Sequence, residues 1–291
     1  AQALEAALEP VRLRGLRVGF VPTMGALHAG HLSLVERARQ ECDVVVVSIF
    51  VNPRQFDEQA DLDAYPRRAD RDRELLAAAG VDLLFLPSAA EIYPPGFATT
   101  VAVGGPSERF EGEVRGSGHF QGVATVVLKL LNLVRPHHLY LGQKDAQQVA
   151  VLRRMVRDLN VGVQLVVCPT VREADGLALS SRNERLGPEE RSRAAAIYRG
   201  LSAAAERCAA GERRVDRLLE AARARLTEAG VEPEYLAVVE EEGFAQLQQL
   251  DRPALLVVAA RLGRTRLIDN IPLQPVAVTT AAAPQEALCN A

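Results

Sequence analysis

The 291-residue chain lacks most of the features that would place it in a specialised class. It has four cysteines, Cys42, Cys168, Cys208 and Cys289, and no two stand in Cys-x-x-Cys spacing. Neither a zinc knuckle nor a redox dithiol is therefore indicated, and a reducing, cytoplasmic setting is expected. The chain has no excess of positive charge: 34 Lys and Arg against 37 Asp and Glu leave a net charge of −3. That argues against a general binder of nucleic acid or anionic membrane, while leaving room for a local basic cluster around a phosphate. Its longest apolar runs, such as 44–51, are far too short to span a bilayer. The start, 1–10, carries Glu5 and Glu9 and has no basic stretch followed by an apolar one, so it does not read as a secretion signal. No metal-ligand spacing stands out, and the acidic pair Asp70 and Asp72 reads as a solvated helix face. There is no internal repeat, and the weakly patterned tail, 281–291, reads as a candidate for disorder.

What remains is an ordinary globular composition, 48% apolar and 24% charged, in a chain long enough for two domains. Short Val- and Leu-rich runs at 18–21, 44–50, 83–86, 139–141 and 163–167 read as strands, and their lack of alternation suits parallel strands covered on both faces. Amphipathic segments at 32–40, 67–79, 123–134 and 146–159 read as the helices between them. This order predicts βαβ units and an open parallel sheet, whose ligands bind beyond the carboxyl ends of the strands. The polar stretch 175–190, with Gly176, Gly187 and Pro188, reads as a boundary. We expect an α/β unit over 1–178 and a smaller α+β unit over 179–291, the latter with two helices split near Gly211 and strands around 235–239, 254–260 and 265–268.

Five motifs carry chemistry. The first is Pro22-Thr23-Met24-Gly25-Ala26-Leu27-His28-Ala29-Gly30-His31, between a strand and a helix. A helix start leaves backbone N–H groups unpaired and favours anions, and two imidazoles add donors at the same place. Gly30 lets the chain turn closely while both rings stay near the helix mouth. The second, Phe50-Val51-Asn52-Pro53-Arg54-Gln55-Phe56, follows a strand, and Pro53 pushes Asn52 out of helical geometry. Its amides suit either a small polar substrate or their own backbone. The third, Arg115-Gly116-Ser117-Gly118-His119-Phe120-Gln121-Gly122-Val123, is a flexible loop whose Arg115 and His119 suit a carboxylate or phosphate, or a simple capping turn. The fourth, Gly142-Gln143-Lys144-Asp145-Ala146-Gln147-Gln148, offers a point charge for phosphate in Lys144 and an acceptor for ribose hydroxyls in Asp145. Lys144 and Gln148 share a face of a starting helix. The fifth, Leu179-Ser180-Ser181-Arg182-Asn183, places hydroxyls before an arginine, suited to gripping a polyphosphate or, taken alone, to a Ser/Thr-rich linker with a helix cap.

The first motif resembles the HIGH signature of nucleotidyltransferases. All five in this order resemble the pantothenate synthetase (pantoate–β-alanine ligase) family, over 18–271, where Leu267-Ile268-Asp269-Asn270 also matches. The resemblance implies a Rossmann-like N-terminal domain, a smaller C-terminal domain closing over the site, and a homodimer. It implies ATP-dependent condensation of pantoate with β-alanine, through a pantoyl-adenylate, with release of AMP and pyrophosphate, and Mg²⁺ accompanying the ATP. It implies no nucleic-acid or membrane partner. By resemblance, His31, assisted by His28 and Lys144, is catalytic. The ATP segments are Met24, Gly25, Ala26, Leu27, His28, Ala29, Gly30 and His31; Gly142, Gln143, Lys144 and Asp145; Val171; and Leu179, Ser180, Ser181 and Arg182. Gln55 contacts pantoate and β-alanine, and Gln148 holds pantoate. Two departures stand out: Ala146 replaces a Tyr common in relatives, which is expected to loosen packing beside the site, and the loop from Arg115 to His119 is one residue longer than the common form. The alternatives are another HIGH-type adenylyl- or cytidylyltransferase and a nucleotide sensor without turnover.

Overall fold

A computed structural model of the chain describes residues 1–56 and 59–275. The expectation for the tail, 281–291, lies outside the described residues. In chain order the elements are α1 (Gln2–Leu13), β1 (Val18–Thr23), α2 (Ala29–Glu41), β2 (Val44–Ile49), α3 (Gln59–Asp63), α4 (Ala69–Ala78), β3 (Leu83–Phe85), α5 (Ala89–Ile92), α6 (Glu111–Arg115), α7 (Ser117–Val134), β4 (His138–Gly142), α8 (Ala146–Asp158) and β5 (Gln164–Cys168). Then come α9 (Pro188–Ala209), α10 (Val215–Glu228), β6 (Pro233–Val239), β7 (Ala254–Leu262) and β8 (Thr265–Leu273).

The first five strands form one parallel sheet in the order β3-β2-β1-β4-β5. Successive side chains of a strand point to opposite faces, and both faces here are covered. Phe20, Val46, Leu139 and Leu141 pack with α1, α7 and α8, whereas Val21, Val45, Val47 and Tyr140 pack with α2 and α4. This two-sided burial is why the strands read as unbroken apolar runs. The order steps outward from β1 through β2 to β3, then returns to β4 on the other side of β1. Such a reversal opens a crevice at the carboxyl ends of the two strands flanking it. The residues leaving β1 and β4 are those of the histidine motif and of Gly142-Gln143-Lys144-Asp145.

The last three strands form an antiparallel sheet in the order β6-β7-β8. One face packs through Leu256, Val258, Ala260 and Leu262 on α9 and α10. The other, with Leu255, Val257 and Val239, packs on Ala146 and Ala150 of α8. The small sheet therefore seats directly on the helix that follows the Lys144 turn.

Candidate active site

The histidine motif leaves β1 through Gly25 (φ 84°) and Ala26 (φ 51°) and enters α2 with His28 as the N-cap. His28 Nδ1 accepts from the backbone N–H of Gly30 at 3.1 Å, and His31 Nδ1 accepts from the N–H of His28 at 3.3 Å. The rings lie 4.1 Å apart. A side chain at position 30 would press on the His28 ring, at 2.9 Å from Cε1, so Gly30, which lies within α2 without a positive φ, is needed for close approach rather than for a turn. Because each Nδ1 accepts, each neutral ring carries its proton on Nε2. Burial lowers the His28 pKa, helped by the charge of Lys144; burial, then His28, takes that of His31 down to about 3. Both rings are thus neutral N–H donors at ordinary pH.

The turn preceding His28 is held from α4. Asp72 accepts from the N–H of Ala26 with Oδ2 and from that of Leu27 with Oδ1, both at 2.9 Å. The side chain is buried, at 1% exposure, which corrects the reading of Asp70 and Asp72 as one solvated face. Only Asp70 fits that reading, with 94% side-chain exposure. Asp72 shares its helix face with Leu76, also buried, so the i, i+4 spacing held the signal.

Lys144 follows β4 in a single 3₁₀ turn and lies 3.7 Å from Asp145. Its charge, with those of Asp145 and Glu184, is felt at His28, which places these segments around one point. Tyr65 ties in the closing segment. Burial raises its pKa, opposed by Arg182 and by a hydrogen bond with Ser181. Arg68, the N-cap of α4, pairs with both carboxylate oxygens of Glu184, at 3.0 and 2.7 Å.

Asn52 is buried and its amide serves the framework. It donates to Gly122 O and Gln55 Oε1, and accepts from the Tyr93 hydroxyl and the Arg54 N–H. Gln55 Nε2 donates to Met24 Sδ at 2.9 Å. Among the contacts of Arg115 and His119, both donate to the Gln55 carbonyl, His119 through Nδ1 at 2.9 Å and Arg115 at 3.3 Å. Gly116 (φ 75°) joins α6 to α7 within their loop. Gln147 is buried and caps the 106–111 segment, accepting from Glu111 N and donating to Pro106 O and Arg109 O. Ala146 is buried against the small sheet beside Val239, Phe244 and Val257.

These groups line one crevice of about 680 Å³, within the range of about 300–1,000 Å³ usual for small-molecule sites. Met24, His28, Gly30, His31, Gly142, Lys144, Asp145, Val171, Leu179, Ser180, Ser181 and Arg182 reach it, as do Gln55 and Gln148. Gly25, Ala26, Leu27, Ala29 and Gln143 are not among its lining residues. Its apolar lining includes Pro22, Phe50, Phe120, Val123 and Val126. Among the described residues no three His, Cys, Asp or Glu side chains gather closely enough to hold a metal ion, and no helix is long and apolar enough to cross a membrane. Sequence reasoning gave no task to Asp72 and Arg172, nor to Asp269 and Asn270, which border the crevice.

Several known proteins are similar to this chain. A bifunctional pantoate ligase/cytidylate kinase from Synechococcus elongatus is 53% identical over 92% of the chain. The chain spans about half the length of that relative, 52%. A crystal structure of pantothenate synthetase from Thermus thermophilus superposes with a TM-score of 0.89 at 51% identity, covering 94% of this chain and 98% of that one. A pantoate-beta-alanine ligase from Francisella tularensis, complexed with beta-gamma ATP and beta-alanine, superposes with a TM-score of 0.76 at 37% identity, covering 93% and 94%. The family model described as pantoate-beta-alanine ligase matches residues 1–272. The chain belongs to the pantoate-beta-alanine ligase family.

Proposed function

We propose that this chain condenses pantoate with β-alanine at the expense of ATP, through a pantoyl-adenylate, releasing AMP and pyrophosphate. The observation that carries the reading is the meeting of His28, His31, Lys144 and the 179–182 segment in one crevice that Gln55, Gln148 and apolar side chains also line. A triphosphate suits the first group. A small branched acid with hydroxyls suits the second, its methyl groups on Phe50 and Val123 and its oxygens on the two glutamines.

A carboxylate is a poor electrophile, so activation precedes amide formation. In the proposed first step the pantoate carboxylate oxygen bonds to the α-phosphorus of ATP as the bond to the bridging oxygen breaks and pyrophosphate leaves. The protein's part is positioning and charge stabilisation. His28 and His31 donate hydrogen bonds from Nε2 to phosphate oxygens, and Lys144 and Arg182 supply positive charge. Asp145 accepts from ribose, and Val171 and Leu179 border the nucleotide. In the second step the β-alanine amine, near Gln55, attacks the carbonyl carbon; AMP leaves and the amine gives up a proton. Shelter from water protects the mixed anhydride. Among the described acidic groups near His28, Asp72 has both oxygens engaged by backbone and Glu184 both by Arg68, which leaves Asp145 for a cation. Mg²⁺ is accordingly assigned to the phosphates of ATP, where it neutralises charge. A homodimer in the cytoplasm, with the 179–291 unit closing over the 1–178 unit, completes the reading.

The test is incubation with ATP and pantoate, with and without β-alanine. Pantoate-dependent exchange of labelled pyrophosphate into ATP, and AMP release on adding β-alanine, is the expected result. Exchange that ignores pantoate, or none at all, overturns the reading. Gln55→Ala separates it from another HIGH-type nucleotidyltransferase, whose acceptor use has no reason to depend on that side chain.

A further inference from the structure

We propose that Asp269 and Asn270, neighbours on β8, are positioning residues that set the width of the nucleotide crevice. The inference rests on the ATP reading above and assigns the small sheet a task within it. β4 and β5 end side by side, with Gly142 opposite Cys168. The loops that follow then part: one carries Lys144, the other Val171 and Leu179. β8 lies across the gap between them and is linked to both.

Asn270 holds the first loop. Its Nδ2 donates to Gln143 O at 2.9 Å and to Lys144 O at 3.0 Å, and its Oδ1 accepts from Gln143 Nε2 at 3.0 Å. A flipped amide would set an oxygen against two carbonyls, so the orientation is fixed by its partners. Asp269 holds the second loop. It takes a bidentate pair from Arg172, at 2.6 and 3.0 Å, and the Asn270 N–H at 2.8 Å. Arg172 also donates to Gly176 O and Asn270 O, and lies 4.0 Å over the Tyr198 ring. It stands next to Val171 and bridges to Ala178 across the loop, and Leu179 N–H donates to Val171 O. Both β8 side chains are nearly inaccessible, at 4% and 3%.

A polar pair buried this deeply must be hydrogen-bonded, and these bonds run to the two walls. Because Asn270 grips backbone carbonyls rather than a side chain, it constrains where the Lys144 main chain sits. Because Asp269 grips an arginine held at four further points, it fixes the Val171 wall as a unit. The separation between phosphate charge and nucleoside wall is therefore set from the small sheet, and displacement of β8 moves both.

The test compares Asn270→Ala, Asp269→Asn and the double variant Arg172→Met with Asp269→Leu, which replaces the buried pair by apolar groups of similar size and is expected to remain folded. The KM for ATP should rise about tenfold or more, with the KM for pantoate within about twofold of the parent. In the ligand-free full chain, amide exchange should quicken at 142–145 in Asn270→Ala and at 171–179 in Asp269→Asn. A variant that melts like the parent and raises both KM values equally, or neither, overturns the proposal, as does unchanged exchange in both loops. Should Asn270→Ala fail to fold, the apolar double variant decides by the same readings. Calorimetry of the parent with ATP separates the two claims. A parent that does not bind ATP defeats the ATP reading, while the exchange measurement still judges the tie.

Discussion

Replacing Asp72 with Ala tests how the histidine pair is held. The carboxylate accepts two backbone N–H groups, from Ala26 and Leu27, at 2.9 Å each, and the side chain is buried. A hydrogen bond to a charged group contributes about 1.5–3 kcal/mol net, and an unpaired buried donor costs about 1–3 kcal/mol. Ala26 is a non-glycine in the left-handed region, which costs a further ~1 kcal/mol that the carboxylate offsets. The expected loss of stability is about 3–5 kcal/mol, seen as a drop of roughly 6–15 °C in melting temperature. Asp72→Asn keeps one acceptor but turns an amide N–H toward the other donor, so its loss should be about half or more. Activity should fall further than stability at assay temperature requires, because a displacement of about 1 Å at the reacting groups costs about a hundredfold. Melting curves, pyrophosphate exchange at 25 °C and amide exchange at 25–28 together make the assay. Raising Mg²⁺ should not restore the rate, since the oxygens serve backbone. Parent-like melting with full activity would refute the reasoning, and rescue by excess Mg²⁺ would show that Asp72 acts by holding a cation.

Acid sensitivity is expected from His31, whose pKa burial lowers to about 3. The unfolded ring, near 6.5, takes up its proton first, so this contribution is complete above pH 6.5 and is lost as the pH falls towards 3, about 2 kcal/mol being gone at pH 5. Urea unfolding at pH 7.5 and 5 should show that extra loss in the parent and not in His31→Gln. Glu111, buried on α6, receives Arg266 through two bonds of 2.7 Å and the Tyr235 hydroxyl at 2.9 Å. Glu111→Gln should destabilise by about 2–4 kcal/mol, below the full penalty for a broken buried pair because Glu234 still engages Arg266. Adding Arg266→Met should recover part of that loss in the same urea titration, and no recovery would mean the pair is not what holds α6 to the small sheet.

Much of the fold was legible because two-sided burial writes itself into composition. Val44 to Val47 is apolar without alternation because Val45 and Val47 meet one core and Val46 the other. The placement of His28 and Lys144 followed from strand-end position alone, which the reversal at β1 and β4 made a shared location. Asn52 was ambiguous for a physical reason: an amide serves backbone and ligand equally well, and here its partners are internal. Asp72 was hidden because its partners lie 46 and 45 residues away and are backbone groups, which leave no trace in side-chain identity. Asp269 and Asn270 stood out by resemblance, but their task was hidden similarly, since the tie to Gln143 spans 127 residues.

The arginines behind and along the crevice bear on how a chain of net charge −3 would take the triphosphate proposed above. Arg172 is committed to Asp269, and Arg266 to Glu111 and Glu234, with side chains only 17% and 15% exposed. They act as framework, and their charge is cancelled within the wall. Lys144, at 3.7 Å from a half-exposed Asp145, is held more loosely and can turn to phosphate. Two cationic imidazoles 4.1 Å apart beside that lysine would repel one another before any substrate arrived. Held neutral by burial and oriented by the α2 N-terminus, they supply direction without that cost, and they are in place before charge develops. On this logic the acid limb of the pH–rate profile belongs to groups other than His31. An inflection near pH 6.5 that disappears in His31→Gln would place a charged ring in the reaction and overturn the neutral-donor assignment.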